Sequence, residues 1–242
     1  MNRACLIPER ATALGDRARL SRGTSPAPAA ASNPEMEALE NSLRVLVGAA
    51  ADALRAGLKP LLTARLEDLD AATLRSCSLP DGDLLAGALE AKARALLLQP
   101  STPADAAGPV TRIVRCSADL RCVIRGARQA MQLALLVMEN PANNIEAKEV
   151  AIAHIRQAAR AALDLAEHTR AVLEPGHPAA ASHVAASYRE VDAARAQAED
   201  VIRGVRGDRL TSVQRAARAI LWSVSVAGEN MARVAARYSL AA

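Results

Sequence analysis

The sequence predicts an all-α protein of six main helices arranged as two tandem three-helix bundles, and three observations lead there. Hydrophobic residues make up 51% of the chain but aromatics only 1%, with no phenylalanine and a single tryptophan, Trp222. Alanine and leucine must then fill the core, which favours closely packed helices over sheets built on aromatic and β-branched residues. Proline, glycine and asparagine cluster at a few positions and divide the chain into long apolar-periodic segments. The order of those segments then repeats: three helices, followed by three helices.

Residues 1–33, closing on "SPAPAAASNP", read as a flexible N-terminal tail without the apolar stretch of a signal peptide. Asn33, Pro34 and Glu35 supply a cap, a first-turn proline and an acidic first turn, so a first helix should open at 34. It is expected to run to about Gly57, because Pro60 forbids continuation. A second helical zone, roughly 64–98, is broken by "SLPDGD" and stopped by "QPSTP". The third helix begins near Pro109 and runs to "NPANN" at 140–144, which closes the first repeat, 34–140. The second repeat, 141–242, starts with a helix capped by Asn144 and running to about Leu173, ended by "EPGHP". A fifth helix runs from Pro178 to about Val205, and "GD" at 207–208 opens a sixth that reaches the C-terminus.

The third helix carries five arginines, Arg112, Arg115, Arg121, Arg125 and Arg128, which raises nucleic acid as a partner. Against that, the formal charge is only +4, and of thirty basic residues only Lys59, Lys92 and Lys148 are lysine. So strong a preference for arginine, beside so much alanine, reads as a GC-biased coding background, and no nucleic-acid role is assigned. Ile113, Leu120, Ile124, Ala127, Met131 and Ala134 mark a buried seam on this helix, with Arg121, Arg125 and Arg128 forming an i, i+4, i+7 row beside it. That row is either a solvated or partner-facing edge or a surface for anions and acidic partners. Arg115 is placed to pair with Asp119 one turn on. Shifting the chain by 104 residues lays Leu120, Ile124, Ala127 and Met131 on Val224, Gly228, Met231 and Ala235, in keeping with an internal duplication.

Enzyme chemistry finds little support. There is no P-loop, dinucleotide fingerprint, HExxH or G-x-S-x-G. His154 and His168 are about 21 Å apart along a helix, too far to share a metal, and His177 and His183 lie at the start of the fifth helix. Glu40, Glu90 and Glu199 fit solvated helical faces with i, i+4 partners. Cys5, Cys77, Cys116 and Cys122 form no zinc pattern, and Cys116 and Cys122 point in different directions on one helix, so reduced thiols and a cytoplasmic location are expected. No apolar run is long enough for a membrane span.

The segment 95–135, "ALLLQPSTPADAAGPVTRIVRCSADLRCVIRGARQAMQLAL", resembles the first-repeat signature of the PhoU phosphate-uptake regulators, in which a leucine-rich helix ends at a QP turn and the next helix carries DLERIGD. The leucines of 96–98, Gln99-Pro100 and Asp119-Leu120 stand in the matching places. "SYREVDAARAQAEDVIRGV" (187–205) is similar to the family's fifth helix. "RAARAILWSVSVAGENMARVAARYSL" (215–240) is similar to its last, with Gly228-Glu229 in the place of Gly-Asp. That resemblance implies a non-enzymatic regulator of phosphate uptake and phosphate-starvation signalling. Its implied protein partners are the ATPase of a phosphate ABC transporter and a sensor histidine kinase, and it is expected to be a homodimer.

In that family an E-x-x-x-D pair on the third helix of each repeat holds a metal ion through carboxylate oxygens. Here the first pair has become Arg121 and Arg125, and the second Ser225 and Glu229. The resemblance thus implies that the metal motif is largely lost: no cofactor is expected, and Glu229 retains at most a weak cation site. Arg121, Arg125 and Arg128 become candidates for binding a partner or an anion. Two other readings stay open, an all-α scaffold or dimerisation module without a phosphate role, and an anion-binding helical bundle.

Overall fold

The computed structural model describes residues 34–63, 80–99, 106–139, 145–174, 180–204 and 212–239. The expected tail, 1–33, lies outside the described residues, as do Asn144 and the segment 64–79. Among the described residues there are six helices: α1 (Pro34–Thr63), α2 (Pro80–Leu98), α3 (Ala107–Glu139), α4 (Ile145–Val172), α5 (Ala180–Gly204) and α6 (Ser212–Ser239). Among the described residues there is no strand. None of these helices is long and apolar enough to cross a membrane.

Local sequence explains most of the boundaries. α1 opens on Pro34 with Glu35 and Glu37 in its first turn, where their charges face the positive end of the helix dipole. α3 starts at Ala107, two residues ahead of Pro109, whose missing N–H falls among the donors that need no helical partner. α2 closes with Gln99 N–H donating to the Leu96 carbonyl at 3.2 Å. One expectation fails: α1 does not stop before Pro60 but carries it inside, to Thr63. An interior proline costs about 3 kcal/mol. Here Leu58 and Leu61 are fully buried on either side of it, and each such burial contributes roughly 1.5–3 kcal/mol. Tertiary packing therefore carries the helix through its breaker.

Asn33–Ala242 forms one compact unit. Within it α1, α2 and α3 pack on one another, α4, α5 and α6 do the same, and the most extensive helix pair is α3 against α6. Both seams read from the sequence are buried, Leu120, Ile124, Ala127 and Met131 on α3 and Val224, Gly228, Met231 and Ala235 on α6. α1 crosses α4 through two matching hydrogen bonds. Arg44 Nε donates to the Leu173 carbonyl at 3.0 Å, and Arg156 Nε donates to the Leu61 carbonyl at 2.6 Å. Arg44 and Arg156 thus stand in equivalent places, as do Leu61 and Leu173, each satisfying a carbonyl that a helix end leaves without a helical donor. Arg55 of α1 also pairs with Glu167 of α4.

Candidate functional site

Gly82 on α2 lies close to α3: a Cβ added there would sit 2.7 Å from Ile124 Cδ1, so that side chain would have to shift to admit it. That approach brings Asp83 and Glu90, seven residues apart on one face of α2, against the arginines. Arg121 Nη2 lies 3.2 Å from Glu90 Oε1 and its Nε lies 3.6 Å from Asp83 Oδ1, while Arg125 Nε lies 3.3 Å from the same Asp83 oxygen. Glu90 is only 14% exposed and is held further by Arg94 at 3.8 Å and by the hydroxyl of buried Ser117 at 3.4 Å.

The row is accordingly not uniform. Arg121 turns inward and spends its charge on α2, whereas Arg125 leaves 62% of its side chain in solvent. Arg128 is half-buried one turn further on. Glu90 does have its i, i+4 partner but is not a solvated residue, because α3 covers it. Asp83 and Glu90 were legible only as a pair seven apart flanked by Gly82, Ala86 and Gly87, a close-contact face whose partner the sequence does not specify.

The positions that would hold a metal by resemblance do not fit one. Arg121 and Arg125 offer guanidinium groups, which repel a cation. In the second repeat Glu229 is paired with Arg233, and Ser225 adds only a hydroxyl. No group of three or more His, Cys, Asp or Glu side chains able to hold a metal occurs among the described residues.

Other contacts join elements that are remote in sequence. Asp119 does not take Arg115, as its spacing suggested, but Arg237 of α6, since a guanidinium arriving from a neighbouring helix reaches it without bending back along α3. His168 Nδ1 lies 2.9 Å from Ser187 Oγ, and its ring centroid is 5.3 Å from that of His183, joining α4 to α5. Cys116 is buried and Cys122 exposed, both as free thiols. Arg112, Arg115 and Arg237 line a common cleft that the helical pattern of α3 could not disclose, because Arg237 comes from α6.

Burial pushes the Cys116 thiol up from 9.0, outweighing the hydrogen bond from Arg237 that lowers it. It also pushes the Tyr238 hydroxyl well above 10.0, with the charges of Cys116 and Glu40 acting in the same direction. Both groups hold their protons in the fold at pH values where the unfolded chain releases them. Their contribution to stability is therefore complete below about pH 9 and is lost as the pH rises beyond it. The urea midpoint should fall between about pH 9 and pH 11, and Tyr238→Phe should flatten that fall. Peptide-resolved alkylation at neutral pH should modify Cys122 well before Cys116; equal rates would contradict the burial of Cys116.

No protein-family model matches the sequence, and no curated protein sequence matches it. Among solved structures, the crystal structure of PhoU from Pseudomonas aeruginosa superposes with a TM-score of 0.61 at 16% identity, covering 85% of this chain and 95% of that one. The chain has a PhoU-like, all-helical fold.

Proposed function

We propose that this protein is a PhoU-like regulator of phosphate uptake and phosphate-starvation signalling, acting through protein contacts rather than catalysis. What carries the reading is the fold match over 95% of a PhoU chain. In this proposal the partners are the ATPase of a phosphate ABC transporter and the sensor histidine kinase, engaged in the cytoplasm by a homodimer that needs no metal. The partner face centres on Arg125 and Arg128. Leu84 and Leu85 are exposed on α2, next in sequence to Asp83. Trp222, 65% exposed, directly precedes Ser223, whose carbonyl oxygen lies 3.3 Å from where a Cβ on Gly126 would be. Exposed tryptophan, leucine and arginine together suit a partner surface that presents apolar groups and carboxylates.

Arg125→Glu with Arg128→Glu should weaken co-purification with the ATPase or kinase by at least about tenfold, on the scale of losing a charge-assisted contact at an interface. Phosphate uptake should become unrestrained in the same strain. Normal uptake and normal starvation signalling after deletion of the gene would overturn the regulatory reading.

A further inference from the structure

A second concentration of positive charge lies apart from Arg121 and Arg125. The first turns of α3 and the last turn of α6 flank an open cleft of about 560 Å3 lined by Ala107, Gly108, Thr111, Arg112, Arg115 and Arg237. We propose that this cleft binds the phosphate group of a small organic phosphate. The proposal is independent of the regulatory reading.

Charge balance is the first argument. Among the described residues, three guanidinium groups line the cleft and no carboxylate does. Asp119 compensates Arg237, which also hydrogen-bonds the Cys116 thiol. Arg112 lies over the Tyr238 ring at 5.3 Å, which orients the guanidinium without neutralising it. Arg115, one turn from Thr111 and exposed, has no ion pair among the described residues. Glu40, which acts electrostatically on Tyr238, is itself matched by Arg44 at 4.0 Å. Among the described residues, Arg112 and Arg115 therefore have no carboxylate partner in the cleft.

Geometry is the second. Arg112 and Arg115 are three residues apart, so both stems leave the same side of α3. Arg237 closes the cleft from α6, fixed in place by Asp119. Guanidinium forks match phosphate oxygens in pairs, which a tetrahedral anion between two helices can accept from more than one direction. The first-turn amides of α3 at Gly108 add donors to an arrangement that the arginines already define. Size points toward an organic phosphate. Clefts of roughly 300–1,000 Å3 suit organic molecules, and a bare phosphate ion would leave most of this one to water. The remaining wall, Ala107 and Gly108 beside arginine methylenes, suits a flat or apolar body attached to the phosphate. A ligand held this way touches α3 and α6 together, and so ties one repeat to the other.

The test is isothermal titration of the full chain with ATP, pyrophosphate, inorganic phosphate and, as a control, acetate at low ionic strength. ATP should bind more tightly than inorganic phosphate, and added salt should weaken binding as it screens an exposed site. Arg115→Gln removes no ion pair among the described residues, so it should leave the helical circular dichroism unchanged while weakening ATP by about tenfold. Arg112→Gln should do the same, and Arg125→Gln should have no effect. Failure of ATP, pyrophosphate and phosphate to bind at millimolar concentration would overturn the proposal. So would binding indifferent to Arg112 and Arg115, or binding lost in Arg125→Gln. Equal affinity for inorganic phosphate and ATP would overturn the assignment to an organic phosphate.

Discussion

Replacing Leu120 with alanine is expected to remove about 3–5 kcal/mol of folding stability and to lower the thermal midpoint by roughly 10 °C. Leu120 is fully buried at the centre of α3, between Asp119, which pairs with α6, and Arg121, which pairs with α2. Neighbouring helices cannot close over the lost methyl groups easily, because ion pairs on both sides hold α3 at its present distance from them. The cavity should therefore persist, and the penalty should lie toward the upper end of the range seen for buried leucines. Urea denaturation should show a lower midpoint with an unchanged slope. Trp222→Ala is the control, since the exposed ring has little packing to lose, and it should shift the midpoint only slightly. A loss below about 1 kcal/mol in Leu120→Ala would mean that the α3 seam is not packed as described.

Gly57→Ala is expected to destabilise by about 1–3 kcal/mol, although alanine favours a helix over glycine by about 1 kcal/mol. A Cβ at 57 would stand 2.4 Å from the Ala127 carbonyl oxygen and 2.9 Å from its carbon, and backbone atoms cannot swing away as a flexible side chain would. Either α1 or α3 would have to move, disturbing Leu58 and Ala127 together. Gly48→Ala makes the opposite prediction on the same helix. Nothing lies within 4 Å of where its Cβ would be, so the propensity gain should appear as roughly 0.5–1 kcal/mol of added stability. Opposite signs at the two positions would establish the crossing of α1 over α3. If Gly57→Ala also stabilised the protein, the close approach would be wrong.

Much of the helical layout was legible because its determinants are local. Asn33 to Glu35 announced α1, "NPANN" marked the end of α3, and apolar spacing picked out the seams at Leu120 and Val224, since the helical period alone decides which residues share a face. Pro60 was misread for the complementary reason. Its cost is local, but what offsets it is the burial of Leu58 and Leu61 by other helices. The loss of the acidic pairs was also plain from the residue types at 121, 125, 225 and 229.

What the sequence by itself determined about this protein is therefore its helices, their inward faces and the chemical character of α3. Only the tertiary structure decided what each charge does. Arg121 and Arg125 share one helical edge and are indistinguishable by periodicity, yet both reach Asp83 of α2, only Arg121 also reaches Glu90, and Arg125 leaves most of its side chain in solvent. Asp119 goes to Arg237, 118 residues away, rather than to its neighbour Arg115. An ion pair depends on distances of a few ångströms between side chains, and a helical pattern specifies direction around its own axis but not which helix stands opposite, or how near.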